Sequence, residues 1–264
     1  DKMTRSIASL VTAIVVFAAA MPPGAGAADL SAEQVTALLA AATPAAPANL
    51  AGKDLSDLDL SRLDFRGADL RGTSFFGSRL VESDLRGANL EAANLNGAWL
   101  MGTDFSGARL AGASLLSVVI LGGTVKKMPV FRNADLSGVK MIADLPGADL
   151  AGANFSRATV GVNIKNQGMG QMRTDLSNAR LAGATLAGAD FNRSLMNFCD
   201  LRGANLRGAN FFRVKLVGAD LSGADVTGAD FTEADLNATV LRGAVGLAEA
   251  KGLDKAENAD KIVR

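Results

Sequence analysis

The chain has no histidine and no tyrosine, and only one cysteine, one tryptophan and six prolines in 264 residues. Without histidine there is no Ser-His or Cys-His nucleophilic pair and no imidazole to ligate a metal. A lone cysteine, Cys199, excludes an internal disulfide, even in an exported protein. Charge of one sign is also missing. Lys plus Arg and Asp plus Glu number 27 each, so the net charge is zero and no large one-signed field is expected.

What is present is a beat. A large apolar residue recurs at every fifth position from Leu55 through Leu60, Phe65 and Leu70 to Ile120, and again from Leu176 through Phe191 to Leu241, fourteen steps each time. A period of five fits neither the 3.6 of a helix nor the 2.0 of a strand. A strict short repeat instead marks one unit stacked many times, a solenoid. The residue two before each beat is small: alanine fifteen times in 28, serine, threonine or cysteine eight times. One bulky and one small inward group per unit suits close packing in a narrow tube. Asp or Asn usually precedes the beat and Gly often lies two after it, and both are turn formers.

The phenylalanines set the number of units per coil. Phe191, Phe211 and Phe231 recur at twenty residues, Phe65 and Phe105 at forty. Four pentads per coil align each series on one wall, where aromatic rings can stack. Successive coils then lie about 4.8 Å apart. The units Ala68-Asp69-Leu70-Arg71-Gly72 and Ala219-Asp220-Leu221-Ser222-Gly223 resemble the pentapeptide-repeat family. That resemblance covers residues 53–245 and implies an all-β solenoid, a right-handed quadrilateral β-helix. It does not carry a function with it.

The ends read differently. Asp1 and Lys2, ahead of Met3, are taken as an expression remnant. Arg5, the apolar stretch Ile7 to Ala20 and Ala25-Gly26-Ala27 form the pattern of a secretory signal peptide within residues 1–28. Its apolar stretch is shorter than the about 20 residues of a spanning helix, so no stable membrane insertion is expected after cleavage. The expected location is periplasmic or secreted. Within 29–52, Ser31 and Gln34 make a capping box that opens a short helix to about Ala42, ended by Thr43-Pro44. Within 246–264, Asp254 and Glu257 predict a C-terminal helix. Both helices are expected to cap the open ends of the array, and the second offers a route to an end-to-end homodimer.

The beat breaks twice, near 121–135 and near 161–173. Loops on a rigid scaffold are the usual carriers of binding residues. Both breaks are rich in cations and carry methionine or phenylalanine. Lys126, Lys127, Met128, Phe131 and Arg132 in the first, and Lys165, Met169, Met172 and Arg173 in the second, are therefore the partner-binding candidates. No catalytic set, cofactor site or metal site is assigned. The stacked Asp64, Asp84 and Asp104 share their wall with Arg66 and Arg86, and a turn role accounts for them. The function expected is that of an exported, non-catalytic scaffold for an unidentified protein partner, with no nucleic acid bound. The alternative is a DNA mimic binding a type II topoisomerase, as quinolone-resistance members of the resembled family do. The balanced charge and the export signal argue against it.

Overall fold

The computed structural model describes residues 28–120, 127–162 and 173–264. The signal-peptide pattern therefore lies outside the described residues. From Asn49 onward the chain winds as a four-sided tube. Parallel bridges join residues twenty apart: Asn49 to Asp69, Asp54 to Ser74, Asp59 to Arg79 and Asp64 to Asp84. These start four sides, called I to IV in that order, which end at Val245, Lys251, Glu257 and Val263. Each side has ten rungs, so at about 4.8 Å per coil the tube is roughly 45 Å long. Among the described residues, only β1 (Ser114–Leu116) and β2 (Lys140–Ile142) are continuous strands. They pair in parallel through Leu115 and Met141, and everywhere else a side holds a single bridge residue.

The five residues of a pentad close their own hydrogen-bond account. In the unit around Leu70, the amides of Leu70 and Gly72 donate to Asn89 O (2.7 Å) and Glu91 O (2.8 Å) of the next coil. Asp69 N donates to Ala48 O of the previous coil at 2.8 Å, and Thr73 N closes the corner onto Leu70 O at 3.1 Å. One amide per unit, that of the residue after the beat, has no backbone partner in this scheme. The Asp or Asn before the beat supplies it. Asp104 Oδ1 accepts from Ser106 N at 2.8 Å, and Asp64 Oδ1 from Arg66 N at 3.0 Å. This is the reason an acid or amide so often precedes the beat.

The beat residues fill the lumen. Leu55, Leu60, Phe65 and Leu70 have no exposed surface, and nor do Phe191 and Phe211. Phe191, Phe211 and Phe231 stack along side II with centroids 5.7 and 5.4 Å apart and planes within 15°. Most small hydroxyl residues in the lumen are also satisfied: Thr73, Ser78, Ser83 and Thr239 each donate to the beat carbonyl 23 residues earlier, at 2.6–2.9 Å, whereas the buried Ser194 Oγ has no partner among the described residues. Cys199 occupies the same kind of position, its Sγ 2.9 Å from Leu176 O.

At the N-terminal end, α1 (Ala32–Ala41) carries the capping box in full, with Gln34 N donating to Ser31 Oγ and Ser31 N to Gln34 Oε1. Its Val35 is buried in the same apolar cluster as the lumen. Asp29 N donates to Asp54 O at 2.7 Å, tying this segment to the first coil.

The C-terminal end differs from expectation. There is no C-terminal helix, only two 3-10 turns, Leu253–Lys255 and Ala259–Lys261. The segment instead makes a tenth coil whose bridge residues Val245, Lys251, Glu257 and Val263 recur every six residues. Gly246, Gly252 and Asn258, each following a bridge residue, have φ of 77°, 71° and 56°, which a helix cannot accommodate. Gly252 also abuts the previous coil so closely that a Cβ would lie 2.4 Å from Thr232 N. The edge of the ninth coil offers ready backbone partners, whereas so short a helix is marginal by itself. The dimer expected through that helix loses its element.

Candidate interaction surface

Ahead of the wider last coil, three irregularities interrupt the twenty-residue winding, and the bridges place each of them. Asp104 bridges Val130, 26 residues on, so six extra residues lie between side III at Val119 and side IV at Val130. Val130 bridges Asp149 at 19, a shortening between Met141 and Leu145 that precedes the side III residue Asp144. Asp144 bridges Asp175 at 31, so eleven extra residues lie between side II at Thr159 and side III at Asp175. The two insertions thus enter at the two corners that border side III, two coils apart. Sides I, II and IV keep an unbroken ladder, whereas no bridge joins Val119 to Asp144 on side III.

The candidate contact residues distribute unevenly over this frame. Lys126, Lys165, Met169 and Met172 lie outside the described residues. Lys127 is exposed, and its carbonyl accepts from Gly102 N at 2.7 Å, fastening the first insertion to the preceding coil. Met128 is half-buried against the core. Phe131, expected as an exposed contact, is instead fully buried, and its ring stacks on Phe105 at 4.9 Å with planes 1° apart. The register shift at the insertion makes Phe131 a beat residue, and the lumen gains more from the ring than the surface would. Arg132 sits beyond side IV, where it pairs with Asp149, and Arg180 approaches the same carboxylate at 3.8 Å. Arg173 is exposed at the opposite corner of side III. The structure therefore places Lys127 and Arg173 at the corners bordering side III, and removes Phe131 and Arg132 from that surface.

Side III itself carries features that the pattern of beats did not single out. Asp144 and Asp175 are neighbours on it, and burial together with the Asp175 charge raises the Asp144 carboxyl above its usual range. Farther up, the Arg79 guanidinium lies 4.7 Å from the Trp99 ring centre, so the tryptophan is half-covered. On side IV, Asp64, Asp84 and Asp104 do stack, but as an ion-pair ladder. Arg66 reaches Asp64 at 2.6 Å and Asp84 at 3.6 Å, and Arg86 reaches Asp84 at 2.5 Å and Asp104 at 4.0 Å. The hydrogen bonds from Arg66 and Arg86 hold the Asp64 and Asp84 carboxyls below the ordinary carboxylate range. Burial pushes the Cys199 thiol up to about 12, so it is no nucleophile at neutral pH.

Five-residue sides, four to a coil, with paired small and large residues facing inward, define a repeat solenoid. A family model described as pentapeptide repeats matches in eight copies over residues 48–77, 74–107, 174–213 and 209–245. The chain belongs to the pentapeptide-repeat family. The matched segments skip the stretch that holds both insertions. Among solved structures, the chain is similar to HetL, a pentapeptide repeat protein involved in heterocyst differentiation regulation in the cyanobacterium Nostoc. Identity is 28%, over 80% of this chain and 91% of that one, with a TM-score of 0.24. It is 19% identical to QnrB1, a plasmid-mediated fluoroquinolone resistance protein, over 75% of this chain and 91% of that one, with a TM-score of 0.39. A pentapeptide repeat protein of the Arabidopsis thaliana thylakoid lumen is 31% identical over 42% of this chain and 66% of that one, with a TM-score of 0.23. No match was found among curated proteins.

Proposed function

We propose that the protein is an exported, non-catalytic scaffold that binds a protein partner across side III. The observation that carries this reading is the placement of both insertions at the corners of that one side. A regular tube needs neither insertion to continue its winding. Side III also holds Trp99 and the Asp144–Asp175 pair. Aromatic and charged groups on a rigid frame suit recognition of another protein. Non-catalytic action is supported by the absence of histidine from the whole chain and by the inertness of its only thiol. Export rests on the signal-peptide pattern of residues 3–28.

Two experiments test the reading. Envelope extracts are passed over immobilised wild type and over a variant in which both insertions are trimmed to regular pentads. The wild type is expected to retain a specific partner that the trimmed tube loses, and equal capture by both would refute the role of side III. Mass spectrometry of the protein recovered from its native cell is expected to show cleavage near Ala27 or Ala28. Recovery of the uncleaved chain from the cytoplasm would refute export.

A further inference from the structure

At the corner between sides II and III, arginines from successive coils line up: Arg173, Arg193 and Arg213, with Lys215 beside them. Together with Glu233 and Glu257 they line a groove of about 440 Å³. The two acids are engaged at one end. Arg213 pairs with Glu233 at 2.6 Å, and Lys215 with Glu257 at 3.0 Å and Asp235 at 3.4 Å. At the other end the balance fails. Arg193 makes no ion pair among the described residues. Asp175 turns into its own corner, accepting from Ser177 N at 2.8 Å. The guanidiniums are also oriented. Arg193 and Arg213 lie over the Phe212 ring at 5.9 and 5.0 Å, which covers one face of each. Both hold a left-handed corner position, φ 60° and 57°, where glycine is the less strained choice.

We propose that this groove is a binding site for a tetrahedral oxyanion, the phosphate group of inorganic phosphate or of a small phosphomonoester. A carboxylate offers two coplanar oxygens and a single negative charge. The two forks of Arg173 and Arg193, on coils about 4.8 Å apart, call for more acceptors and more negative charge, which a phosphate supplies. The groove borders the proposed partner surface, sharing Arg173 and the side III residue Lys215 with it, but phosphate titration and partner capture are separate measurements, so either reading can fail alone.

The test is calorimetric titration of the full chain with inorganic phosphate and, separately, with glycerol phosphate, at constant ionic strength set by chloride. Saturable binding is expected for at least one, and the tighter of the two identifies the source of the phosphate group. In an Arg173→Gln/Arg193→Gln variant, binding is expected to weaken tenfold or more, as loss of a charge-assisted hydrogen bond implies. Arg242→Gln, an exposed arginine outside the groove, is expected to bind as wild type does. Circular dichroism of all three proteins checks that the tube is intact. No saturable binding of either compound to the wild type, or an equal affinity in the double variant, would overturn the proposal.

Discussion

Truncating Phe211 to alanine tests the stacked lumen directly. Its ring has no exposed surface and lies between Phe191 at 5.7 Å and Phe231 at 5.4 Å. Removing a buried phenylalanine costs about 3–5 kcal/mol, the larger values belonging to sites that cannot collapse. This site cannot, because the wall is pinned by bonds such as Phe211 N to Asp230 O at 2.8 Å, and both stacked neighbours lose a face. The expected loss is therefore about 4–5 kcal/mol. Phe231→Ala, with one stacked neighbour, should lose about 1 kcal/mol less. A double-mutant cycle between the two should show a coupling of about 0.5–1.5 kcal/mol. Urea denaturation followed by far-ultraviolet circular dichroism measures these losses. Trp99 fluorescence, reporting from the third coil while Phe211 lies in the eighth, shows whether the whole tube or only its C-terminal part unfolds early. The exposed Phe198, truncated likewise, should change stability by no more than about 0.5 kcal/mol. A loss below about 2 kcal/mol at Phe211, or equal losses at Phe211 and Phe198, would refute the argument.

Other substitutions probe the turn chemistry and the titrating groups. Asp104→Ala removes the acceptor for Ser106 N and Ser106 Oγ and should cost about 1 kcal/mol in a denaturant titration, whereas Asp104→Asn, which keeps Oδ1, should be near neutral. Cys199 should resist a thiol reagent at pH 8 in the folded protein and react at once in urea, and Cys199→Thr should retain most of the stability because threonine fills the same position at Thr174 and Thr239. The carboxyl of Asp144 is raised in the folded state, so its ionised form costs stability at neutral pH, and the cost is relieved as pH falls through its folded value. Asp144→Asn should therefore stabilise at pH 7 by about a few tenths of a kcal/mol, given how exposed the site is, and the gain should fade as pH falls and the carboxyl takes up its proton. Destabilisation at pH 7 would contradict that sign.

Much of the molecule was legible in the residues because the signals that shape a pentad are local. The small-x-large spacing, the Asx acceptor and the left-handed corner all operate within five residues, and the twenty-residue recurrence of Phe191, Phe211 and Phe231 set the coil. The capping box at Ser31 was legible for the same reason. Phe131 shows where such reading stops. Its place in the shifted beat marked it as inward, while its place beside a break marked it as a contact, and only its ring against Phe105 decided between them. The C-terminal segment held a signal of its own, Gly246, Gly252 and Asn258 at intervals of six, but a cap-like Asp254–Glu257 pair competes with it.

The sequence by itself determined the winding of the chain, since inward size and turn chemistry repeat with every unit. Tertiary structure alone decided which side the insertions border, because 26- and 31-residue coils can be assigned to corners only through the bridges across them. It likewise made the last twenty residues a wider coil and not a helix. An open ladder edge satisfies backbone groups that a short isolated helix would leave to water.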